Sequence, residues 1–96
     1  MTIWKYILKP TCEIEMPTGA QILSVHAQPN KAPPFKLDGE EICIWAKVEP
    51  ANPKETRKFV VFGTGHPVPC ELHMQFLGTA LLHGGLFTYH VFEVLP

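Results

Sequence analysis

The stretch Phe62-Gly63-Thr64-Gly65-His66-Pro67 brings two glycines and a histidine close together. Glycines free a backbone to aim several N–H groups at one point, as anion-binding nests do, and a histidine ring adds a further donor. Arg57 and Lys58 lie just upstream on what reads as a strand, so they would supply positive charge to the same ligand. The ligand-binding set read from the sequence is therefore Arg57, Lys58, Gly63, Thr64, Gly65 and His66. On that reading Arg57 and His66 serve the ligand and are dispensable for folding. No Lys-Ser or Lys-Thr pair follows the glycines, so this is not a Walker loop. A tight connection between two strands is the competing reading.

Five histidines invite a metal hypothesis, and the closest grouping is His66, Cys70 and His73. A structural zinc site needs a second matched ligand pair, and the sequence offers only His83 or His90 at a distance, so no metal is assigned. Cys70, His66 and Glu71 are near one another only along the chain, with no Gly-x-Ser-x-Gly elbow or protease-like cysteine context. Glu40 and Glu41 at a strand entry read as a solvated face rather than an acid–base pair. The chain is accordingly read as a non-enzyme without a cofactor. Cys12, Cys43 and Cys70 are an odd, widely spaced set, which favours buried thiols in a reducing compartment over a disulfide framework.

Composition narrows the partners. With 96 residues, 46% hydrophobic and 18% charged, the chain has the make-up of one globular domain, here 1–96. A formal charge of −1 supplies no field for a long nucleic acid or an anionic bilayer. The start lacks a signal-peptide pattern, and Phe76 to Phe87 is too short and interrupted to span a membrane, so a cytoplasmic protein is expected.

Period-two alternation is what must position these residues. It runs through Trp4-Tyr6-Leu8, Cys12-Ile14-Met16, Leu23-Val25-Ala27 and Ile42-Ile44-Ala46-Val48. The last of these has apolar residues on both faces and reads as a central strand. Residues 29–40 contain three prolines and an Asp-Gly pair and predict an exposed loop with Phe35 at its tip. Glu49 to Glu55 reads as a hairpin turn into Arg57 to Phe62. Leu72 to Leu82 predicts a strand with a bulge at Gly78, and Leu86 to Leu95 a final strand. The fold class is all-β, a small antiparallel sandwich or partly open barrel of about six or seven strands. Trp4, Tyr6, Trp45, Phe87 and Tyr89 could stack on a base, but the reading preferred is core, with Trp45 its most secure member.

The segments Thr2-Ile3-Trp4-Lys5-Tyr6, Phe62-Gly63-Thr64-Gly65-His66-Pro67, Leu82-His83-Gly84-Gly85 and His90-Val91-Phe92-Glu93-Val94 resemble a family of small uncharacterised proteins encoded by phages and prophages. That resemblance implies a host-takeover or anti-defence factor acting in the host cell cytoplasm. One mechanism is sequestration of a small nucleotide-like signal, with the glycine loop on its phosphate and an aromatic ring on its base. The alternative is inhibition of a host protein through a surface patch or an exposed edge strand. A ligand pocket in so small a domain would be completed between subunits, so a homo-oligomer is expected.

Overall fold

Where apolar and polar residues alternate, the chain buries one face of each extended segment, and the computed structural model of the protein has seven such strands among its described residues. It describes the backbone of residues 1–32 and 36–96 and the side chains of 1–29 and 39–96. In chain order the strands are β1 (Thr2–Leu8), β2 (Thr11–Pro17), β3 (Gln21–Ala32), β4 (Lys36–Val48), β5 (Lys54–Gly63), β6 (Met74–Leu82) and β7 (Phe87–Val94). A short 3-10 turn, His83–Gly85, precedes β7. Two antiparallel sheets, β1-β4-β3 and β2-β5-β7-β6, pack as a sandwich that does not close into a barrel. Among the described residues no helix is long and apolar enough to cross a membrane.

The core lies between the sheets. Met16, Ile44, Phe59 and Val91 are fully enclosed there, with Leu8, Val25, Ala46, Val48 and Ala80 around them. Each large side chain so buried is worth about 1.5–3 kcal/mol. β4 is the central strand of its sheet, as its two apolar faces predict, and even its outward-facing Cys43 is buried. Lys5 donates to Gln28 Oε1 at 3.2 Å, joining the two strands that flank Cys43. Burial pushes the Cys43 thiol above its ordinary range.

One edge of the sandwich needs glycine. A Cβ on Gly78 would sit 3.0 Å from Val25 Cβ, so the missing side chain lets β6 approach β3. The bulge expected there is present, between Phe76 and Gly78.

Four sequence expectations are corrected. Residues 29–32 and 36–40 are not loop: they extend the β3–β4 hairpin, with Pro29 opposite Glu40 and Ala32 opposite Lys36. β3 is an edge strand, where proline's missing N–H is tolerated, and a bulge between Pro29 and Lys31 absorbs the irregularity. Phe35 lies outside the described residues. Glu49 to Glu55 is not a hairpin turn, because β4 and β5 belong to different sheets. Leu23 falls out of phase at a bulge between Ile22 and Ser24 and is exposed, leaving Ile22, Val25 and Ala27 inward. Trp45 also faces outward, because Ile44 and Ala46 take the inward positions, and its ring meets His26 edge-on at 5.9 Å.

The two ends of the sandwich are built differently. At the closed end, where β5 begins and β7 finishes, Thr18 N–H and Oγ1 both donate to Pro53 O, and Asn52 Nδ2 donates to Thr18 O. The amino terminus pairs with Glu49 at 3.1 Å, which holds that carboxyl below its usual range. Between the sheets, Arg57 donates from Nε and Nη2 to both oxygens of Glu93, at 2.6 and 2.8 Å, and from Nη1 to Ala20 O. The paired side chains are only 16% and 9% exposed. The hydrogen bonds to Glu93 raise the Arg57 guanidinium further above its ordinary value. Arg57 is thus tied into the fold by Glu93 and Ala20 and is not held free for a ligand.

Removing one member of a buried pair strands the other's charge. Arg57→Met should lower unfolding free energy by about 3 kcal/mol in urea titrations, and Arg57→Met with Glu93→Leu should recover most of that loss. A single variant as stable as the parent chain would refute the clamp.

Candidate ligand cleft

At the opposite, open end, the ends of β1 and β5, the middle of β4 and the β6–β7 turn region surround a cleft of 560 Å³. Small-molecule sites span roughly 300–1,000 Å³. Its walls are apolar, from Ile7, Leu8, Pro10, Ile42, Val61 and Leu82. Its polar groups are Lys9, Glu40, Glu41, His66 and the Tyr89 hydroxyl, so carboxylates outnumber the one lysine. Tyr89 points into the inter-sheet space because it shares a face of β7 with the buried Val91 and Glu93.

The glycine loop forms one lip, and its hydrogen bonds decide what it can do. Gly63 N–H donates to His66 Nδ1 at 3.1 Å, and His66 N–H donates back to Gly63 O at 3.0 Å. Thr64 N–H donates to Thr88 O at 3.1 Å. Three loop amides are therefore consumed within the protein, whereas an anion nest needs them free. A Cβ at 63 would lie 2.7 Å from the His66 ring, so the ring can lie against this backbone only while the residue is glycine. Thr64 is held from the other side, its Oγ1 2.9 Å from His90 Nε2.

The facing lip is the β6–β7 turn. Glu40 of β4 accepts a hydrogen bond from His83 N–H and so ties one sheet to the other across the mouth. His83 sits at φ 52, a region that residues with a Cβ seldom enter. Its ring packs edge-on against Phe87 at 5.6 Å, and Phe87 lies 6.5 Å from Tyr89, giving a run of aromatic rings toward the opening.

Of the six residues read from the sequence, Gly63 and His66 line the cleft. Thr64 lines a smaller adjoining pocket with Leu86 and Phe87, and exposed Gly65, at φ +88, makes the turn. Arg57 and Lys58 do not join them. Six residues of extended strand separate Arg57 from Gly63, about 20 Å at ~3.3 Å per residue. Arg57 is committed to Glu93, and Lys58 projects, exposed, from the outer face. Glu40, Glu41, Leu82 and Tyr89 complete the site instead. In the sequence, Tyr89 was signalled by its inward parity and its place among the possible base-stacking aromatics, whereas the others arrive through tertiary packing.

The residues weighed for other chemistry are apart. His66 is at the open end, while His73 O accepts from Leu95 N–H at the closed end. Among the described residues no three His, Cys, Asp or Glu side chains are placed to hold a metal ion. Cys70 is exposed, with its Sγ 3.8 Å from Glu71 Oε2.

An antiparallel sandwich of two sheets, stitched at one end and opening into an apolar cleft at the other, is the class of protein that emerges. The chain belongs to the family DUF7352, a domain of unknown function, whose model matches residues 1–96. No curated protein and no solved structure matches it.

With Nδ1 accepting from Gly63, the neutral His66 ring must carry its proton on Nε2. Long-range ¹H–¹⁵N correlation spectra at mildly alkaline pH should report that tautomer, and Gly63→Ala should abolish the preference by displacing the ring. An Nδ1–H tautomer in the unaltered protein would contradict the closed loop.

Proposed function

We propose that this protein is a non-catalytic binding domain whose open-end cleft takes a small nucleotide-like molecule, held by its base and sugar rather than by its phosphates. The observation that carries the reading is the 560 Å³ apolar cleft with Tyr89, His66 and two carboxylates at its margin. A base would lie against the Tyr89 ring and the aliphatic wall, a contact worth about 1–3 kcal/mol where bases stack on aromatic residues. Glu41 would accept from sugar hydroxyls, and His66 Nε2–H would donate to an acceptor on the base edge. Phosphates would point outward near Lys9, because the glycine loop has spent its amides internally. With the phage-like segments, this suggests sequestration of a nucleotide signal in host cytoplasm as an anti-defence device.

A second reading, inhibition of a host protein, is favoured by one observation about the sheet edges. β1 keeps an unbroken register with β4 from Thr2 to Leu8. The other edges are guarded: β3 and β6 carry bulges, and β2 presents Glu13, Glu15 and Pro17. A partner strand would add to β1.

A thermal-shift screen against nucleosides, linear nucleotides, cyclic dinucleotides and inorganic phosphate separates these readings, since a ligand of the folded state alone raises the midpoint. At least one base-containing compound should raise it by several degrees, with no effect from phosphate. Tyr89→Ser and His66→Ala should remove the shift, and Lys58→Ala should leave it. No shift from any base-containing compound would reject the nucleotide reading and turn attention to β1.

A further inference from the structure

Antiparallel sandwiches usually keep polar residues on their outer faces. The four-stranded sheet does not. Its outward positions across β5, β7 and β6 include Phe62, Phe92, Phe76 and Leu81, while Val60 on the same face is already covered at 7% exposure. Phe92 meets Phe62 at 5.9 Å and Phe76 at 5.4 Å, both edge-on, so the three rings form one continuous patch. Phe76 and Leu81 are 55% and 58% exposed. These side chains point away from the core and from the cleft, so neither explains them.

We propose that this outer face is a self-association surface, on which a second copy of the chain packs face to face. Three observations select that occupant. First, the middle of the patch is ready for desolvation. Its central polar side chain, His90, already has both ring nitrogens engaged, Nε2 with Thr64 Oγ1 at 2.9 Å and Nδ1 with Thr79 Oγ1 at 3.1 Å. Covering this trio orphans no ring nitrogen, which removes the usual penalty for burying a polar group.

Second, charge is confined to the margin. Glu13 and Lys58 face each other across β2 and β5, beside the patch rather than within it. A foreign partner is commonly selected by complementary charge at the contact. A flat uncharged face instead suits an isologous two-fold contact, the commonest symmetry of soluble oligomers. The outer face of the other sheet differs, because Lys5, Lys47, His26 and Gln28 interrupt its apolar residues.

Third, the area suffices. The molecule is a slab, 39 × 36 × 17 Å along its principal axes, so its sheet faces are broad for its mass. The three strands that carry the patch, ~4.8 Å apart and about eight residues long, give roughly 400 Å² in flat projection, and the β2 margin brings the whole face to roughly 500 Å². The corrugated accessible surface is larger, bringing the burial to the ~600 Å² per partner of the smaller specific interfaces.

Light scattering after size exclusion, at micromolar concentration, tests the proposal on the whole chain. The unaltered protein should weigh about twice its 10.8 kDa. Phe76→Glu combined with Leu81→Lys should return it to the single-chain mass with the far-ultraviolet dichroism retained. Ile3→Glu, on the opposite outer face, should leave the dimer intact. Concentration-dependent amide shifts at Phe76, Thr79 and Phe92 in the unaltered chain give a readout that needs no substitution. A single-chain mass for the unaltered protein would overturn the proposal. So would a dimer that survives the Phe76 and Leu81 changes, or one that only Ile3→Glu dissolves, and the last result would assign the contact to the other sheet.

Discussion

The contact on which the architecture depends is the three-way grip of Arg57 on Glu93 and the Ala20 carbonyl. It joins β5, β7 and the turn from β2 into β3, and so connects the larger sheet to the chain entering the smaller one. Buried ions are costly, and a bidentate pair with a further acceptor is the arrangement that offsets the cost. The grip also specifies register. A one-residue slip of β5 or β7 would carry Arg57 or Glu93 to the outer face and bury an unpaired charge. The Tyr6 hydroxyl is buried near this pair and has no partner among the described residues; burial raises its phenol above the ordinary range, partly opposed by the Arg57 charge.

A sandwich pinned at one end can part its sheets at the other. The closed end has the Thr18, Asn52 and Pro53 bonds and the terminal pair with Glu49 as well as the Arg57 clamp. Across the open end, Glu40 to His83 is the polar tie, and the side chains facing the gap there are mainly aliphatic or aromatic. The cleft and the aromatic outer face are then two outcomes of one arrangement. β5 and β7 send Val61 and Tyr89 inward to the cleft, and Val60, Phe62 and Phe92 outward to the opposite face.

Much of the fold was legible because alternation reports which face of a strand is buried. β4 as a central strand and the break at Gly78 both followed from local pattern. The errors have local causes too. Pro29 looked like a ladder breaker because its edge position was invisible, and Trp45 looked like core because size outweighed parity. Arg57 was read with Lys58 as charge for a ligand, and only the pairing of β5 with β7 brings Glu93 to it. At the site, the glycine loop was found, but the amides that looked free to hold a phosphate are spent within the protein, and His66 keeps only its Nε2–H for a ligand. Glu40, Glu41 and Leu82 come from other strands, and no short-range motif could join them to His66.

The most direct test of the central account is an amide-resolved NMR titration of the intact protein with the base-containing compounds. Binding in the cleft predicts shifts concentrated at Glu41, Gly63, His66, Leu82 and Tyr89, with Arg57 and Lys58 unmoved. Shifts centred on Arg57 and Lys58, or none at any residue, would contradict it.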